Sequence, residues 1–183
     1  NIAAEKSGGQ RGDKSIIHPN DHVNLGQSSN DVIPTAMHLA LIQSIQSKLI
    51  PSLSMMADEL NTKSNEFKDV IKTGRTHLQD ATPITLGQEF HGYYGQITKG
   101  IEKLIDSNKW LSEVALGGTA VGTGINTHEE FAKLVCEEIS SELGLEIKET
   151  DNHFQAQSTI DAVTATAGII KSISLSIMKI CND

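Results

Sequence analysis

Long stretches of this sequence place apolar residues three and four positions apart, the spacing that puts them on one face of an α-helix. The pattern runs from about residue 31 to 60, from 86 to 111 and from 154 to the end of the chain. It predicts an all-α protein built as a bundle of long helices. The stripes consist of Ile42, Ile45, Leu49, Leu53, Met56 and Leu60, then Leu86, Phe90, Tyr94, Ile97, Ile101, Leu104 and Leu111, then Ile160, Val163, Ala167, Ile170, Ser174, Ile177 and Ile180.

Two features of these stripes predict departures from a regular helix. Pro51 lacks a backbone N–H and should kink or restart the first helix. The second stripe contains four glycines, each of which lowers helix stability by about 1 kcal/mol relative to Ala. Close approach by a neighbouring helix would compensate, and a broken helix is the alternative. The glycines are Gly87, Gly92, Gly95 and Gly100.

A shorter helix is predicted from about His128 to Leu143. Thr127 or Asn126 can cap its N-terminus, and Gly144 directly after it can provide a left-handed C-cap. The alternating segment 145–149 predicts at most a minor strand.

Composition excludes several classes of partner. The chain of 183 residues is long enough for one domain. Its net charge of −8 argues against binding of nucleic acid or an anionic membrane. No stretch approaches about 18 consecutive apolar residues, and the N-terminus does not have the order of a signal peptide, so we expect a soluble protein. Cys136 and Cys181 lack the spacing of a disulfide framework or a zinc site.

The two ends of the chain predict a piece of a longer protein. The sequence opens at Asn1 without a Met, and its last helical pattern runs into Asp183 without a stop signal. Helices of this length also need more apolar surface to pack against than one chain supplies, so we expect a homo-oligomer.

The stretch "HPNDH" contains His18 and His22, four residues apart. On a helix this spacing would suit a metal ion, but Pro19 and Asn20 favour a turn. A polar turn or an anion contact is therefore expected here.

The stretch "LGQSSND" precedes the first long helix, with Pro34 expected in its first turn. Ser28, Ser29 and Asn30 should lie at the helix N-terminus, beside free backbone N–H groups and the positive end of the helix dipole. This arrangement suits either plain capping or the binding of a carboxylate.

The stretch "GRTHLQDATP" is a connector without periodicity. The His77 imidazole can transfer protons near neutral pH, and the Thr76 hydroxyl can orient a carboxylate. Arg75 can hold the loop or bind an anion. The alternative is a purely structural histidine.

The glycine-rich stretch "LGGTAVGTGINTH", residues 116–128, is not a phosphate-binding loop, since no Lys-Ser/Thr pair follows it. It is either a flexible connection or a backbone that approaches a ligand closely.

Taken together and in this order, "HPNDHVN", "GQSSNDVIPTAMH", "GRTHLQDATPITLGQE" and "LGGTAVGTGINTH" resemble the class II fumarases of the fumarase/aspartase superfamily. The resemblance covers essentially the whole chain. It implies that residues 1–183 form the single central helical domain of that fold, without the family's N-terminal part and C-terminal domain. It also implies a homotetramer whose active sites combine several subunits.

The resemblance further implies a hydro-lyase that uses no cofactor and no metal. Its reaction would be the reversible hydration of fumarate to L-malate, a step of the tricarboxylic acid cycle, in the cytoplasm or, in a eukaryote, the mitochondrial matrix. Carried over by position, Ser28, Ser29, Asn30 and Thr76 would bind substrate carboxylates, and His77 would relay protons through a bound water. His18, Pro19, Asn20 and Asp21 would match the family's second dicarboxylate site.

The sequence lacks three features of the family. The flexible "GSSxMPxKxNP" loop, which carries the serine base together with a substrate-binding Lys and Asn, is absent, and so are the N-terminal Ser/Thr loop and the Glu that would orient His77. We therefore expect this polypeptide alone to be inactive or nearly so.

Two other hypotheses remain: an aspartate ammonia-lyase-like elimination, which the His and Ser of "GRTH" and "SSND" disfavour, and a non-catalytic helical scaffold. Two widely separated cysteines exclude the iron–sulfur fumarases.

Overall fold

The computed structural model describes all 183 residues, which divide into two compact units. The first unit comprises Asn1–Leu39 and Ser112–Ile160, and the second comprises Ala40–Leu111 and Asp161–Asp183. The predicted helical class is confirmed, because most residues lie in helices. The expected organisation as a single domain stays a prediction.

Three long helices form the second unit: α3 (Ile50–Glu66), α4 (Leu86–Leu111) and α7 (Asp161–Asn182). Helix α4 packs against both α3 and α7. Their apolar stripes meet in a core, as helical spacing requires. This core contains Leu53, Ala57, Leu60, Tyr93, Ile97, Leu104, Leu111 and Ile173.

The first unit holds the shorter elements around a smaller core. Helix α1 (Ile2–Lys6), the π-helical turn Pro19–Val23, and helices α5 (Phe131–Leu143) and α6 (His153–Ser158) belong to it. The two-residue strands β3 (Glu113–Val114) and β4 (Lys148–Glu149) pair in parallel, which confirms the minor strand. The core residues are Ala4, Val114, Ala115, Leu116, Ala132, Cys136 and Ile147.

The helix around Pro51 is interrupted, as the sequence predicted. Helix α2 (Ser29–Ser44) leads into the π-helical turn Ile45–Leu49, after which α3 begins at Ile50. Pro51 therefore lies in the first turn of α3, where its missing N–H costs little. The prediction for Pro34 was wrong: α2 begins at Ser29, so Pro34 lies in its interior.

The four glycines of α4 differ in how closely other residues approach them, and the helix is unbroken. A Cβ added at Gly87 would lie 2.4 Å from the Ser64 carbonyl oxygen of α3, and one at Gly100 would lie 2.7 Å from Ile173 Cγ1 of α7. Close approach is thus confirmed at these two positions. A Cβ at Gly92 or Gly95 would meet nothing within 4 Å.

Helix α5 ends as predicted but begins later. Gly144 has φ 64° and ψ 32°, the left-handed C-cap. The predicted capping by Thr127 or Asn126 is wrong, because the helix begins at Phe131 and its N-cap is Glu130. A turn in which the Phe131 N–H donates to the His128 carbonyl takes up the intervening residues.

The last predicted helix is divided in two. Helix α6 ends at Ser158, Thr159 is extended, and α7 begins at Asp161. Ile160, Ala167 and Ser174 of the predicted stripe are exposed, whereas Thr166 and Ile173 are buried. Helix α7 is long and apolar enough, by length and composition alone, to cross a membrane, and only 11% of its most apolar stretch is buried within this chain.

Candidate active site

Ser28 caps helix α2 through a reciprocal pair of hydrogen bonds. The Asn30 N–H donates to Ser28 Oγ at 3.2 Å, and the Ser28 N–H donates to Asp31 Oδ1 at 2.9 Å. This is the capping-box arrangement, with Asp in the place usually held by Glu or Gln. The capping interpretation is therefore confirmed, and binding of a carboxylate by the same residues stays a prediction.

The cap leaves polar groups available at the positive end of α2. Ser29 is the first helical residue and is exposed, and no hydrogen bond within the chain engages its hydroxyl. Ser28 Oγ acts as an acceptor in the cap, so its own hydrogen can still be donated. An anion at this helix N-terminus would meet hydroxyl donors and a favourable dipole.

Open clefts of about 330 and 340 Å³ in the first unit lie next to this cap. Asn20 and Ser28 line both clefts, so the predicted second-site turn and the helix cap face the same space. Every residue of both linings is uncharged. Any cationic group needed to hold a dianion must therefore come from outside them.

The "HPNDH" stretch forms a self-satisfied polar turn, as predicted. His18 Nδ1 accepts the backbone N–H groups of Asn20 and Asp21 at 3.3 and 3.2 Å, and the His18 N–H donates to His22 Nδ1 at 2.8 Å. Both imidazoles thus hold the π-helical turn that begins at Pro19. No group of three or more His, Cys, Asp or Glu side chains in the chain is placed to hold a metal ion.

The "GRTHLQDATP" stretch is a β-hairpin, which the sequence interpretation as a non-periodic connector missed. Strands β1 (Ile71–Thr76) and β2 (Gln79–Thr85) pair antiparallel, with Thr76 opposite Gln79. The two-residue turn consists of His77 at φ 50° and Leu78 at φ 58°. A tight hairpin turn with positive φ at both positions normally uses Asn or Gly, so two larger residues here store strain.

Strain of this kind clusters at functional sites, and the turn presents the predicted residues to solvent. Thr76 and His77 are exposed, and no hydrogen bond or ion pair within the chain engages their side chains. Leu78 is 101% exposed. The Arg75 side chain holds the hairpin, with Nε 3.2 Å from Asp80 Oδ1. Within this chain, no group orients the imidazole of His77, the candidate for proton transfer.

The glycine-rich loop is attached to the helix cap through a residue that sequence reasoning missed. Asp31 is fully buried, and its Oδ2 accepts the N–H groups of Gly117 and Thr119 at 3.3 and 2.9 Å. The Asn30 side-chain amide donates to the Ala120 carbonyl at 2.7 Å. The loop is thus an ordered partner of the cap. The Ser-x-x-Asp spacing of residues 28–31 was the available signal for the role of Asp31 in the cap.

Thr119 occupies an unusual position within this loop. Its φ of 54° is rare for a β-branched residue, the residue is 4% exposed, and its hydroxyl has no partner in the chain. Both of its backbone groups are held, the N–H by Asp31 and the carbonyl by Gln157 Nε2 at 2.6 Å. The surroundings therefore impose this conformation.

A third cleft, of about 240 Å³, lies on another side of the loop and was also missed. Its lining includes four titratable residues, His128, Glu129, Glu149 and His153. His153 Nε2 lies 3.2 Å from Glu149 Oε1 and 3.1 Å from the Leu116 carbonyl. With two acceptors, Nε2 carries the proton, and the imidazole holds the loop.

The candidate residues fall into two groups. His18, Pro19, Asn20, Asp21, Ser28, Ser29 and Asn30 belong to the first unit, whereas Thr76 and His77 belong to the second.

Comparisons with known proteins extend over the whole chain. A family model described as Lyase matches residues 1–183. The chain is 50% identical over 183 residues to the class II fumarate hydratase of Nitrosomonas europaea, covering all of this chain and 40% of that protein. It is also 50% identical over 183 residues to the mitochondrial fumarate hydratase of Rhizopus oryzae, covering all of this chain and 37% of that protein.

Solved structures show the same fold. The fumarate lyase:delta crystallin of Brucella melitensis bound to cobalt matches with a TM-score of 0.95 at 43% identity, covering 100% of this chain and 40% of that one. The class II fumarase of Schistosoma mansoni matches with a TM-score of 0.88 at 37% identity, covering 91% and 38%. The chain thus spans 37 to 40% of the length of these relatives.

Proposed function

We propose, from the premise that this chain belongs to the lyase family whose model it matches over residues 1–183, that it is part of a fumarate hydratase. The complete protein would catalyse the reversible hydration of fumarate to L-malate. Support comes from relatives at about 50% identity that bear this name.

The observation that carries the proposal is the N-terminus of helix α2. A helix of 16 residues presents its positive end, and the hydroxyls of Ser28 and Ser29 can donate beside it. Removing a proton from the carbon next to a carboxylate builds negative charge on that carboxylate. Donors already placed where this charge grows lower the barrier. Ser28, Ser29 and Asn30 are accordingly assigned to a substrate carboxylate.

The hairpin turn is assigned to the proton transfer. The Thr76 hydroxyl binds a substrate carboxylate, and the His77 imidazole relays a proton through a bound water. Neither side chain is engaged within this chain, which leaves both available to a substrate. His18, Pro19, Asn20 and Asp21 are assigned to a second dicarboxylate site, supported by the clefts that Asn20 and Ser28 share.

We assign the assembly to a homotetramer. Helix α7 has a largely exposed apolar surface in the single chain, and further copies of the same helices would cover it. Location in the cytoplasm, or in the mitochondrial matrix of a eukaryote, is part of the proposal. The 183-residue polypeptide alone is expected not to turn over, because the "GSSxMPxKxNP" motif is absent from its sequence.

The test is a steady-state assay of the complete protein, in which loss of the fumarate absorption band reports malate formation. The proposal expects turnover with fumarate and none in a Ser29→Ala, His77→Asn double variant. If the protein released ammonia from aspartate and did not hydrate fumarate, the proposed function would be wrong and the protein would be an aspartate ammonia-lyase. A folded oligomer that neither binds nor converts either compound would instead indicate a scaffold.

A further inference from the structure

The carboxylate of Asp31 joins two segments that lie far apart in sequence. Oδ1 accepts the Ser28 N–H at 2.9 Å, which is all that a helix cap requires. Oδ2 accepts the N–H groups of Gly117 and Thr119, 86 and 88 residues further along the chain. The second oxygen is therefore committed to holding the glycine-rich loop.

Asp31 sits in a closed ring of contacts. Its carboxylate binds Ser28 and Thr119, the Asn30 N–H donates to Ser28 Oγ, and the Asn30 side chain donates to the carbonyl of Ala120, the residue after Thr119. Gln157 holds the same loop from another direction through the Thr119 carbonyl. Loosening the loop would thus release Asn30 and Ser28 together.

The surroundings of this carboxylate are unusual. Asp31 is 0% exposed, and no Lys, Arg or His forms an ion pair with it. A buried carboxylate without a cation is costly unless hydrogen bonds satisfy it, and here three backbone N–H groups do so. Its negative charge nevertheless lies beside residues assigned to bind an anion, where it opposes the ligand.

We propose that Asp31 is a positioning residue for this site: it fixes the Ser28–Asn30 cap against the Gly117–Ala120 loop, so that the carboxylate-binding donors are already in place before the substrate arrives. This inference rests on the proposed function. Preorganised donors bind more tightly because no ordering cost is paid on binding. The binding free energy gained by positioning these donors exceeds the free energy lost to repulsion between the Asp31 carboxylate and the anionic substrate.

The sign of one measured change separates the two effects. Asp31→Asn keeps the shape of the side chain and removes its charge. If the charge alone mattered, this substitution would lower the KM for fumarate. If positioning dominates, it raises KM about tenfold with a smaller change in kcat, and the amide hydrogens of Gly117 and Thr119 exchange faster with solvent.

The experiment compares variants of the complete protein by KM and kcat for fumarate, amide exchange and thermal unfolding. Gln157→Leu releases the loop without touching Asp31 or the cap, so it should also raise KM, and it decides the question if Asp31→Asn does not fold. Thr150→Val is the matched control. It removes a buried hydroxyl of the same unit that donates to Glu113 Oε1, and should lower the Tm while leaving KM unchanged.

The outcomes separate this inference from the function it rests on. Wild-type protein without turnover of fumarate would overturn the proposed function and the positioning role with it. If the wild-type protein turns over fumarate but Asp31→Asn leaves the KM unchanged or lowers it, the positioning role alone is overturned. If Asp31→Asn does not fold, the same result in Gln157→Leu overturns it. If Thr150→Val raised the KM as well, a general loss of stability would explain the effect, and the positioning role would be overturned.

Discussion

Of the two adjacent serines assigned to a substrate carboxylate at the start of α2, only Ser28 also caps the helix. Ser28 Oγ accepts the Asn30 N–H and so stabilises the helix end, whereas the Ser29 hydroxyl is exposed and unengaged within the chain. A cap residue contributes to folding, and a free donor at a helix N-terminus contributes to anion binding. The two roles can be separated by substitution.

We expect Ser28→Ala to lower the free energy of unfolding of the chain by about 1 kcal/mol, because a cap hydrogen bond is lost. Ser29→Ala should leave this free energy within about 0.5 kcal/mol of wild type and should raise the KM of the complete protein. Denaturant titration and steady-state kinetics measure the two quantities. Equal loss of stability in both variants would contradict the assignment.

His77→Asn should lower the kcat of the complete protein by about a hundredfold or more, because proton transfer loses its relay. Its KM should change little. His91→Asn is the matched control, since His91 is another exposed histidine of the same unit. Comparable losses of kcat in the two variants would remove His77 from the mechanism.

The two cysteines should differ sharply in reactivity. Burial, aided by the nearby Glu149 carboxylate, raises the pKa of the Cys136 thiol to about 11, whereas Cys181 is exposed. At pH 8 only about one Cys136 in a thousand is then a thiolate, the reactive form. A thiol reagent should modify one cysteine of the native 183-residue chain and two after denaturation. Rapid modification of Cys136 in the native chain would contradict its burial.

For single residues, the sequence identified those that contact their neighbours along the chain and missed those that contact distant segments. Capping of α2 by residues 28–30 follows from neighbouring residues, and it was one of the two alternatives that the sequence predicted. The second role of Asp31 depends on a loop 86 residues away, and no local pattern reveals it. The same holds for Thr119, whose left-handed conformation is imposed by Asp31 and Gln157.

Among the elements, long helices were predictable and the hairpin was not. Helical spacing repeats over many residues, which makes the signal robust. The hairpin turn is His77-Leu78, which lacks the Asn-Gly chemistry that normally marks a tight turn. The sequences of its two strands also show no alternation of apolar and polar residues. Tertiary context also divided the last helix at Thr159, where the sequence offered no Gly or Pro.

The glycines of α4 allow a matched test of helix packing. Gly87→Ala should destabilise the chain by more than about 2 kcal/mol, because its Cβ would lie 2.4 Å from a backbone carbonyl of α3. Gly95→Ala should stabilise the helix by up to about 1 kcal/mol, since its Cβ meets nothing within 4 Å. Thermal unfolding of the 183-residue chain measures both. A destabilising Gly95→Ala would show that another copy packs there.

For the whole molecule, the resemblance to class II fumarases is confirmed by relatives at 50% identity across all 183 residues and by matching solved structures. The candidate residues nevertheless lie in two units, and those of the hairpin turn are unengaged within one chain. We propose that assembly explains this separation: one copy supplies the helix cap, and another supplies the hairpin turn.

Complementation between two impaired variants, assayed at a fumarate concentration well below the KM of Ser29→Ala, tests that explanation directly. Ser29→Ala and His77→Asn versions of the complete protein are co-expressed, and their activity on fumarate is compared with that of each variant alone. If the two residues act from different copies, random assembly restores about one quarter of the sites and hence of wild-type activity. Mixed oligomers that form but show no more activity than the separate variants would contradict an active site shared between copies.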